Sequence, residues 1–162
     1  MSPLPALVIT VSDRSAAGER EDRGGPIAVE LLREAGWHCP DPQIIADGAS
    51  SVADALRRAL ARGIRLVVTT GGTGVGPRDL TPEGTRRVIT REIPGIAEEL
   101  RRSGLADTPL SVLSRGLAGI VDPAGMLVVN LPGSPRAVAS GVPVVLGVAG
   151  HILDQVEGGD HS

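Results

Sequence analysis

Residues 67–83, VVTTGGTGVGPRDLTPE, join a glycine-rich loop to a carboxylate. Glycines occupy positions 71, 72, 74 and 76, and Asp79 follows the last of them after Pro77 and Arg78. Glycines let backbone N–H groups come close to an anion, and Thr73 adds a hydroxyl group to the loop. The segment is therefore a candidate site for binding phosphate groups.

Two well-defined phosphate-binding motifs do not fit this loop. A dinucleotide fingerprint has glycines at i, i+2 and i+5, but the third position is Pro77 when counted from Gly72 and Asp79 when counted from Gly74. A P-loop has a lysine directly after its second glycine. Gly76 is followed by Pro77, and the chain contains no lysine at all. The loop belongs to neither class.

Phosphate groups bound here would need a positive partner. Arg78 is one candidate, and Mg²⁺ held by Asp79 is another, because Mg²⁺ prefers oxygen ligands. Asp47, which follows a neighbouring predicted strand, offers a second carboxylate. Two carboxylates, a divalent cation and a glycine loop suit phosphoryl or nucleotidyl transfer. Alternatively, Asp79 only compensates the dipole of the next helix, and the spacing does not choose between these roles.

Alternating strands and helices must position the loop. Nearly continuous apolar runs predict buried strands at residues 6–12 and 65–70. A further strand is predicted at 126–131, and 43–46 is a weaker strand candidate. Apolar residues at helical spacing predict helices at residues 26–35, 51–60, 81–91, 94–102 and 134–156. Thr81 followed by Pro82 is typical of an N-cap and the first helical residue. The pattern predicts one α/β domain over residues 1–157 with a mainly parallel sheet, and a frayed tail at 158–162.

Polar and glycine-rich segments follow four of the predicted strands. In parallel sheets, ligands bind at the carboxyl ends of the strands. The four segments are residues 12–14, 47–48, 71–79 and 132–135. Any one of them could be an ordinary turn, but four at one edge of a sheet favour a binding site.

Composition excludes several kinds of protein. The net charge of −3 and the absence of Phe and Tyr argue against nucleic-acid binding, which uses cations and stacking platforms. The single cysteine, Cys39, forms neither an internal disulfide nor a multi-cysteine zinc site. No apolar run approaches the ~20 residues of a membrane span, and the start lacks a signal-peptide pattern. We expect a cytoplasmic protein without membrane contact, in which Trp37 packs and does not stack on a ligand.

Five segments together resemble the molybdenum-cofactor biosynthesis domain family, which includes the Mog/MoaB proteins and the G domains of gephyrin and its plant counterpart. In chain order they are VSDRSAAGEREDRGGP, TTGGTGVGPRDLTPE, REIPGIAEELRRSG, LSRGLAGI and NLPGSPRAV. The resemblance implies a three-layer α/β/α fold and a molybdopterin adenylyltransferase. In that reaction the terminal phosphate of molybdopterin attacks the α-phosphate of Mg-ATP, giving adenylylated molybdopterin and pyrophosphate. It also implies a homo-oligomer, trimeric or hexameric, and a downstream molybdenum-insertion protein as a partner.

The resemblance also implies roles for individual residues. Asp47 and Asp79 match the acids implicated in catalysis and would hold Mg²⁺. Ser12, Asp13 and Arg14 would bind nucleotide, although Asp13 and Arg14 could instead pair with each other. Substrate contacts are implied for Gly71, Gly72, Thr73, Gly74, Arg78, Ser103, Ser114, Arg115, Gly133 and Ser134.

The sequence departs from the family pattern at two places. Gly24 stands where the family commonly has Ser, and Ala46 precedes Asp47 where relatives often have Pro. The intact Arg-Asp-Leu-Thr-Pro segment favours the catalytic branch of the family. Two other interpretations remain: a non-catalytic molybdopterin-binding or scaffold protein of the same family, and an unrelated Mg-nucleotide enzyme on a similar sheet.

Overall fold

A six-stranded sheet with helices on both faces forms the centre of the protein in a computed structural model, which describes residues 2–160. In chain order the elements are β1 (Ala6–Val11), α1 (Asp13–Ala16), α2 (Gly24–Glu34), β2 (Gln43–Ile45), α3 (Ala49–Ala61), β3 (Leu66–Thr70), α4 (Thr81–Arg86), β4 (Arg91–Glu92), α5 (Pro94–Gly104), a 3-10 helix (Pro109–Leu113), β5 (Ala118–Val121), β6 (Met126–Leu131) and α6 (Pro135–Val156). The strand order across the sheet is β2-β1-β3-β6-β5-β4.

The four strands β2, β1, β3 and β6 run parallel. Every residue of β1, β3 and β6 is buried, which explains their nearly continuous apolar sequences. On one face of the sheet, Leu32 of α2, Ile96 of α5 and Val142 of α6 share an apolar core. On the other face, Leu56 of α3 packs with Val128 of β6 in a second core. These layers confirm the predicted three-layer α/β/α fold with a mainly parallel sheet.

The sheet continues into two antiparallel strands that the sequence analysis did not predict. β5 pairs antiparallel with β6, and the two-residue β4 pairs antiparallel with β5. The predicted helix at 81–91 is therefore wrong at its end: α4 stops at Arg86, and Arg91 lies in β4. Thr90 donates its backbone N–H to the carbonyl oxygen of Ile120 at 2.8 Å. Pairing with β5 thus satisfies backbone groups that a longer helix would have satisfied internally.

Helix α6 is the long apolar helix of the fold. It has 22 residues and contains an 18-residue window with a mean hydropathy of 1.6, so by length and composition it could cross a membrane, contrary to the sequence expectation. A core helix passes the same test, and Val138, Val145 and Leu153 of α6 are buried in the core beside α2 and α5. After α6, Gly158 and Gly159 donate backbone N–H groups to the last turn of the helix. The remainder of the predicted tail, His161 and Ser162, lies outside the described residues.

Candidate functional site

A cleft of about 1220 Å³ opens at the carboxyl ends of β1, β3 and β6. Its floor is made by the loops that follow these strands, and its rim includes the segment before α2 and the 3-10 helix. The glycine loop after β3 and the carboxylates of Asp47 and Asp79 all line it. The volume exceeds the range of about 300–1,000 Å³ that is typical of small-molecule pockets. The cleft therefore has room for more than one small substrate.

The glycine loop needs glycine at its first two positions because neighbouring atoms leave no room for side chains. Gly71 and Gly72 have φ angles of +91° and +69°, in a region that strains other residues. A Cβ atom on Gly71 would clash with the carbonyl oxygen of Val11. On Gly72 it would clash with the hydroxyl of Thr81 and lie 3.1 Å from Oδ1 of Asp47.

Thr81 fastens α4 to this loop. Its hydroxyl donates to the carbonyl oxygen of Gly71 at 2.9 Å, and its backbone N–H donates to the carbonyl oxygen of Gly72 at 3.1 Å. The prediction that Thr81 is the N-cap is wrong, because Leu80 occupies that position and no side chain caps the helix. The hydroxyl is used to hold the loop, not to satisfy the first turn of α4.

Asp79 turns back into the glycine loop. Its Oδ2 accepts the backbone N–H of Gly76 at 2.9 Å and would lie 2.9 Å from a Cβ atom on Gly74. The acidic residue in the first turn of α4 is Glu83, so compensation of the helix dipole falls to that residue. The second oxygen of Asp79, Oδ1, has no hydrogen-bond partner among residues 2–160 and remains available to a ligand.

Asp47 is held by reciprocal hydrogen bonds with Asp13. The backbone N–H of Asp13 donates to Oδ2 of Asp47 at 2.9 Å, and the backbone N–H of Asp47 donates to Oδ1 of Asp13 at 3.0 Å. Burial raises the pKa of Asp47, and the charges of Asp13 and Asp79 raise it further. A cation placed beside Asp47 would offset this cost, because it stabilises the ionised carboxylate.

The guanidinium group of Arg78 is hydrogen-bonded to other residues of this chain. Its guanidinium donates to both carboxylate oxygens of Asp13, from Nε at 3.1 Å and from Nη2 at 3.3 Å. Nη2 also donates to the backbone carbonyl oxygen of Asp47 at 2.8 Å. This pairing lowers the pKa of Asp13. The alternative in which Asp13 pairs with Arg14 is wrong, since Asp13 pairs with Arg78, and neither Arg78 nor Arg14 lines the cleft.

Arg115 holds the glycine loop from its outer side. Its Nε donates to the carbonyl oxygen of Gly74 at 2.8 Å, and its Nη2 donates to that of Asp79 at 2.6 Å. Its backbone N–H donates to the carbonyl oxygen of Thr73 at 2.8 Å. Nη1 makes an ion pair with Glu83, and this contact lowers the pKa of Glu83. Arg115 supports the cleft without lining it.

The predicted serines divide between the cleft and its surroundings. Ser12, Ser114 and Ser134 line the cleft, as does Gly133. The hydroxyls of Ser12 and Ser134 cap α1 and α6, each accepting a backbone N–H from the first turn of its helix. The hydroxyl of Ser103 donates to the carbonyl oxygen of Leu100 at 3.3 Å, and Ser103 lies outside the cleft lining.

The rim before α2 contributes residues that the sequence analysis did not single out. Asp22 accepts hydrogen bonds from the hydroxyl of Thr10 at 2.7 Å and the backbone N–H of Gly25 at 3.0 Å. Arg20 and Arg23 line the cleft from this segment, and Arg136 lines it from α6. The signal in the sequence is the Glu-Asp-Arg-Gly-Gly-Pro segment at residues 21–26, which places charged side chains directly before α2.

Asp47 and Asp79 fit a magnesium ion that is bound together with substrate. Within residues 2–160 there is no group of three Asp, Glu, His or Cys side chains that could hold a metal ion alone. Mg²⁺, however, is commonly bound by one or two carboxylates together with substrate phosphates and waters. Each aspartate keeps its Oδ1 atom without a hydrogen-bond partner in the described part of the chain. The donor set therefore suits a cation that arrives with a nucleotide.

Comparison with known proteins identifies the family of the chain. Residues 7–151 match the family described as "Probable molybdopterin binding domain". The chain is 39% identical over 149 residues to a molybdopterin adenylyltransferase of Pyrococcus furiosus, covering 90% of this chain and 87% of that one. The molybdopterin biosynthesis Mog protein of Mycobacterium ulcerans superposes with a TM-score of 0.88 at 42% identity, with 94% of this chain and 99% of that chain covered.

Some relatives are longer. The chain is 40% identical over 156 residues to a molybdenum cofactor biosynthesis bifunctional protein of Synechococcus elongatus, which covers 96% of this chain. It spans about half the length of that relative, 48%. The shared part is thus the domain with the glycine loop and the two aspartates. By its family match, its identity with these relatives and its fold, the chain belongs to the Mog/MoaB molybdopterin adenylyltransferase family of molybdenum-cofactor biosynthesis.

Proposed function

We propose that this protein transfers an adenylyl group from Mg-ATP to the terminal phosphate of molybdopterin. A phosphate oxygen of molybdopterin attacks the α-phosphorus of ATP, and the bond from that phosphorus to the β-phosphate bridging oxygen breaks. The products are adenylylated molybdopterin and pyrophosphate. The observation that carries this proposal is the placement of Asp47 and Asp79 beside a glycine loop in one cleft.

The residues of the cleft would have two roles, phosphate binding and cation binding. The glycine loop lines the cleft at Gly71, Gly72, Thr73 and Gly74, and backbone N–H groups of such a loop suit the phosphate groups of the two substrates. Asp47 and Asp79 would hold Mg²⁺ through their unpartnered oxygens. When bound, Mg²⁺ would neutralise charge on the reacting phosphates and orient them.

The segment before α2 and the first turn of α6 bring arginine side chains to the cleft. Arg20, Arg23 and Arg136 line the cleft there, and Arg20 and Arg136 form no ion pair within residues 2–160. Arg23 has only a long 3.9 Å contact with Glu21, and both side chains are largely exposed. These guanidinium groups suit the outer phosphates of a nucleotide, since Arg78 and Arg115 are committed elsewhere.

Assembly and location are further parts of the proposal. Leu110, Val112 and Leu113 expose apolar side chains on the 3-10 helix beside the cleft, a pattern that suits contact with a second subunit. We propose a cytoplasmic trimer or hexamer that passes its product to a molybdenum-insertion protein. Light scattering on the purified protein tests the assembly, and a monomeric mass at micromolar concentration would reject it.

The decisive experiment measures pyrophosphate release from Mg-ATP with and without molybdopterin. Wild-type protein and the Asp79→Asn variant are compared. We expect molybdopterin-dependent release that is lost in the variant, because the amide lacks the charge to bind the cation. Tight molybdopterin binding without pyrophosphate release would instead favour the non-catalytic scaffold. A protein that neither binds molybdopterin nor releases pyrophosphate would have no role in this pathway, and the proposal would be rejected.

A further inference from the structure

The pairing of Arg78 with Asp13 joins two loops of the cleft that are 65 residues apart in sequence. Arg78 belongs to the glycine loop, whereas Asp13 follows β1 and exchanges hydrogen bonds with Asp47 after β2. The same guanidinium also reaches the backbone carbonyl of Asp47 at 2.8 Å. Position and orientation of Asp47 are therefore fixed by the other two residues from three directions.

An ion pair of the same kind elsewhere in the protein provides a comparison. Arg91 and Asp122, at the opposite edge of the sheet, form a two-point pair at 2.8 and 2.9 Å. Arginine side chains are 62% exposed in both pairs, and the aspartates are 43% exposed at Asp13 and 39% at Asp122. Surface pairs of this exposure contribute little to stability. What distinguishes Asp13 is its connection to a carboxylate in the cleft.

We propose that Asp13 and Arg78 are positioning residues that hold the carboxylate of Asp47 ready for a divalent cation carried by the nucleotide. This inference rests on the proposed function. It replaces the expected role of Arg78 as a direct phosphate ligand, because three of its hydrogen bonds already go to Asp13 and Asp47. Groups that orient metal ligands typically affect metal affinity by roughly 10- to 100-fold.

A double-mutant cycle tests the pair. Mn²⁺ affinity is measured by electron paramagnetic resonance in the presence of α,β-methylene-ATP, which cannot transfer its adenylyl group. Arg78→Gln and Asp13→Asn are each expected to weaken Mn²⁺ binding by roughly 10- to 100-fold. The double variant is expected to lose no more than either single variant, because contacting residues are coupled. Arg91→Gln, the matched control, should keep wild-type affinity.

A second measurement examines positioning without any ligand. The backbone N–H groups of Asp13 and Asp47 donate to each other's carboxylates, so their hydrogen exchange reports the arrangement directly. Exchange at both should accelerate in Arg78→Gln and stay unchanged in Arg91→Gln. Arg78→Lys should restore part of the Mn²⁺ affinity, since lysine keeps the charge but not the fork of donors.

Three results would overturn the proposal. The first is unchanged Mn²⁺ affinity in Arg78→Gln, and the second is wild-type protein that binds no Mn²⁺ with the nucleotide analogue. The third is losses that multiply in the double variant, which would show that Arg78 acts on phosphate independently of Asp13. Wild-type protein that binds Mn²⁺ with the expected coupling but releases no pyrophosphate would instead reject the proposed adenylyl transfer and keep the positioning pair.

Discussion

The parallel sheet has an amino edge, where its strands begin, and a carboxyl edge, where they end, and the two use glycine in different ways. At the amino edge, Gly36 and Gly63 have φ angles of +92° and +76°, and a Cβ atom on either would meet nothing within 4 Å. At the carboxyl edge, Gly71 and Gly72 have similar angles, but their missing side chains make room for other atoms. The amino-edge glycines allow turns at helix ends. At the carboxyl edge, Gly71 allows a close approach to the backbone of Val11, and Gly72 allows a close approach to Thr81 and Asp47.

The largest contrast between the edges is expected in catalysis. Asp47→Asn at the carboxyl edge should lower kcat/KM for adenylyl transfer on the order of 1000-fold, because a cation ligand loses its charge. This loss corresponds to an increase of about 4 kcal/mol in the free energy of activation. Asp122→Asn at the amino edge should leave kcat/KM within about threefold of wild type, since the pair it breaks is exposed. Pyrophosphate release measures both. Equal losses would remove the distinction between the edges.

The second contrast concerns stability. Gly71→Ala should cost about 3 kcal/mol or more, because it combines a strained φ angle with a clash against the backbone of Val11. Gly63→Ala has a similar angle and open space around it, so only the strain, about 1–2 kcal/mol, is expected. Urea unfolding of the two variants compares them. A Gly63→Ala variant that is as unstable as Gly71→Ala would contradict the packing argument.

Trp37, at the amino edge, is expected to affect stability and not catalysis. It is half-buried, packs against the core shared by α2 and α6, and lies outside the cleft. Trp37→Leu should reduce the free energy of unfolding by about 1–2 kcal/mol through lost apolar contact and leave turnover unchanged. Circular dichroism and pyrophosphate release measure the two effects. A large loss of turnover in a folded variant would place Trp37 in the reaction.

The smallest expected effect is a pH dependence at the carboxyl edge. Arg115 lowers the pKa of Glu83, so their pair stabilises the folded state above the ordinary Glu value of 4.5. The contribution is lost as pH falls below 4.5 and through the lowered pKa. The melting temperature of Glu83→Gln should therefore lie below that of wild type at about pH 6, and the gap should narrow at about pH 3. Because the pair is partly exposed, it contributes at most about 1 kcal/mol.

The sequence predicted the parallel half of the fold and missed the antiparallel half for a physical reason. β1, β3 and β6 are buried on both faces and have apolar runs that cannot easily serve as turns. β4 has two exposed residues, and β5 has only four, so neither presents a periodic pattern. β5 and β4 form because β5 pairs with β6 and β4 pairs with β5. The β-strand propensity of their own residues does not indicate these neighbours.

The candidate site was predictable in its residue types but not in its connections. Glycine spacing and the resemblance pointed to the loop and to Asp79, and both line the cleft with Asp47. The sequence could not show that Arg78 reaches Asp13, or that Arg115 reaches Glu83, because each pair is brought together only by the folded sheet. The place of Arg78 in the glycine loop suggested phosphate binding, and the resemblance implied a substrate contact for Arg115, whereas both guanidinium groups bind other residues of the chain.

The chain contains one tryptophan and neither tyrosine nor phenylalanine, and this has an optical consequence. All aromatic fluorescence of the protein comes from Trp37, whose side chain packs against the core at the amino edge. Its emission spectrum should shift on thermal unfolding and stay constant when nucleotide is added. The protein also absorbs little in the near ultraviolet, so the absorbance of a bound pterin can be followed directly during turnover.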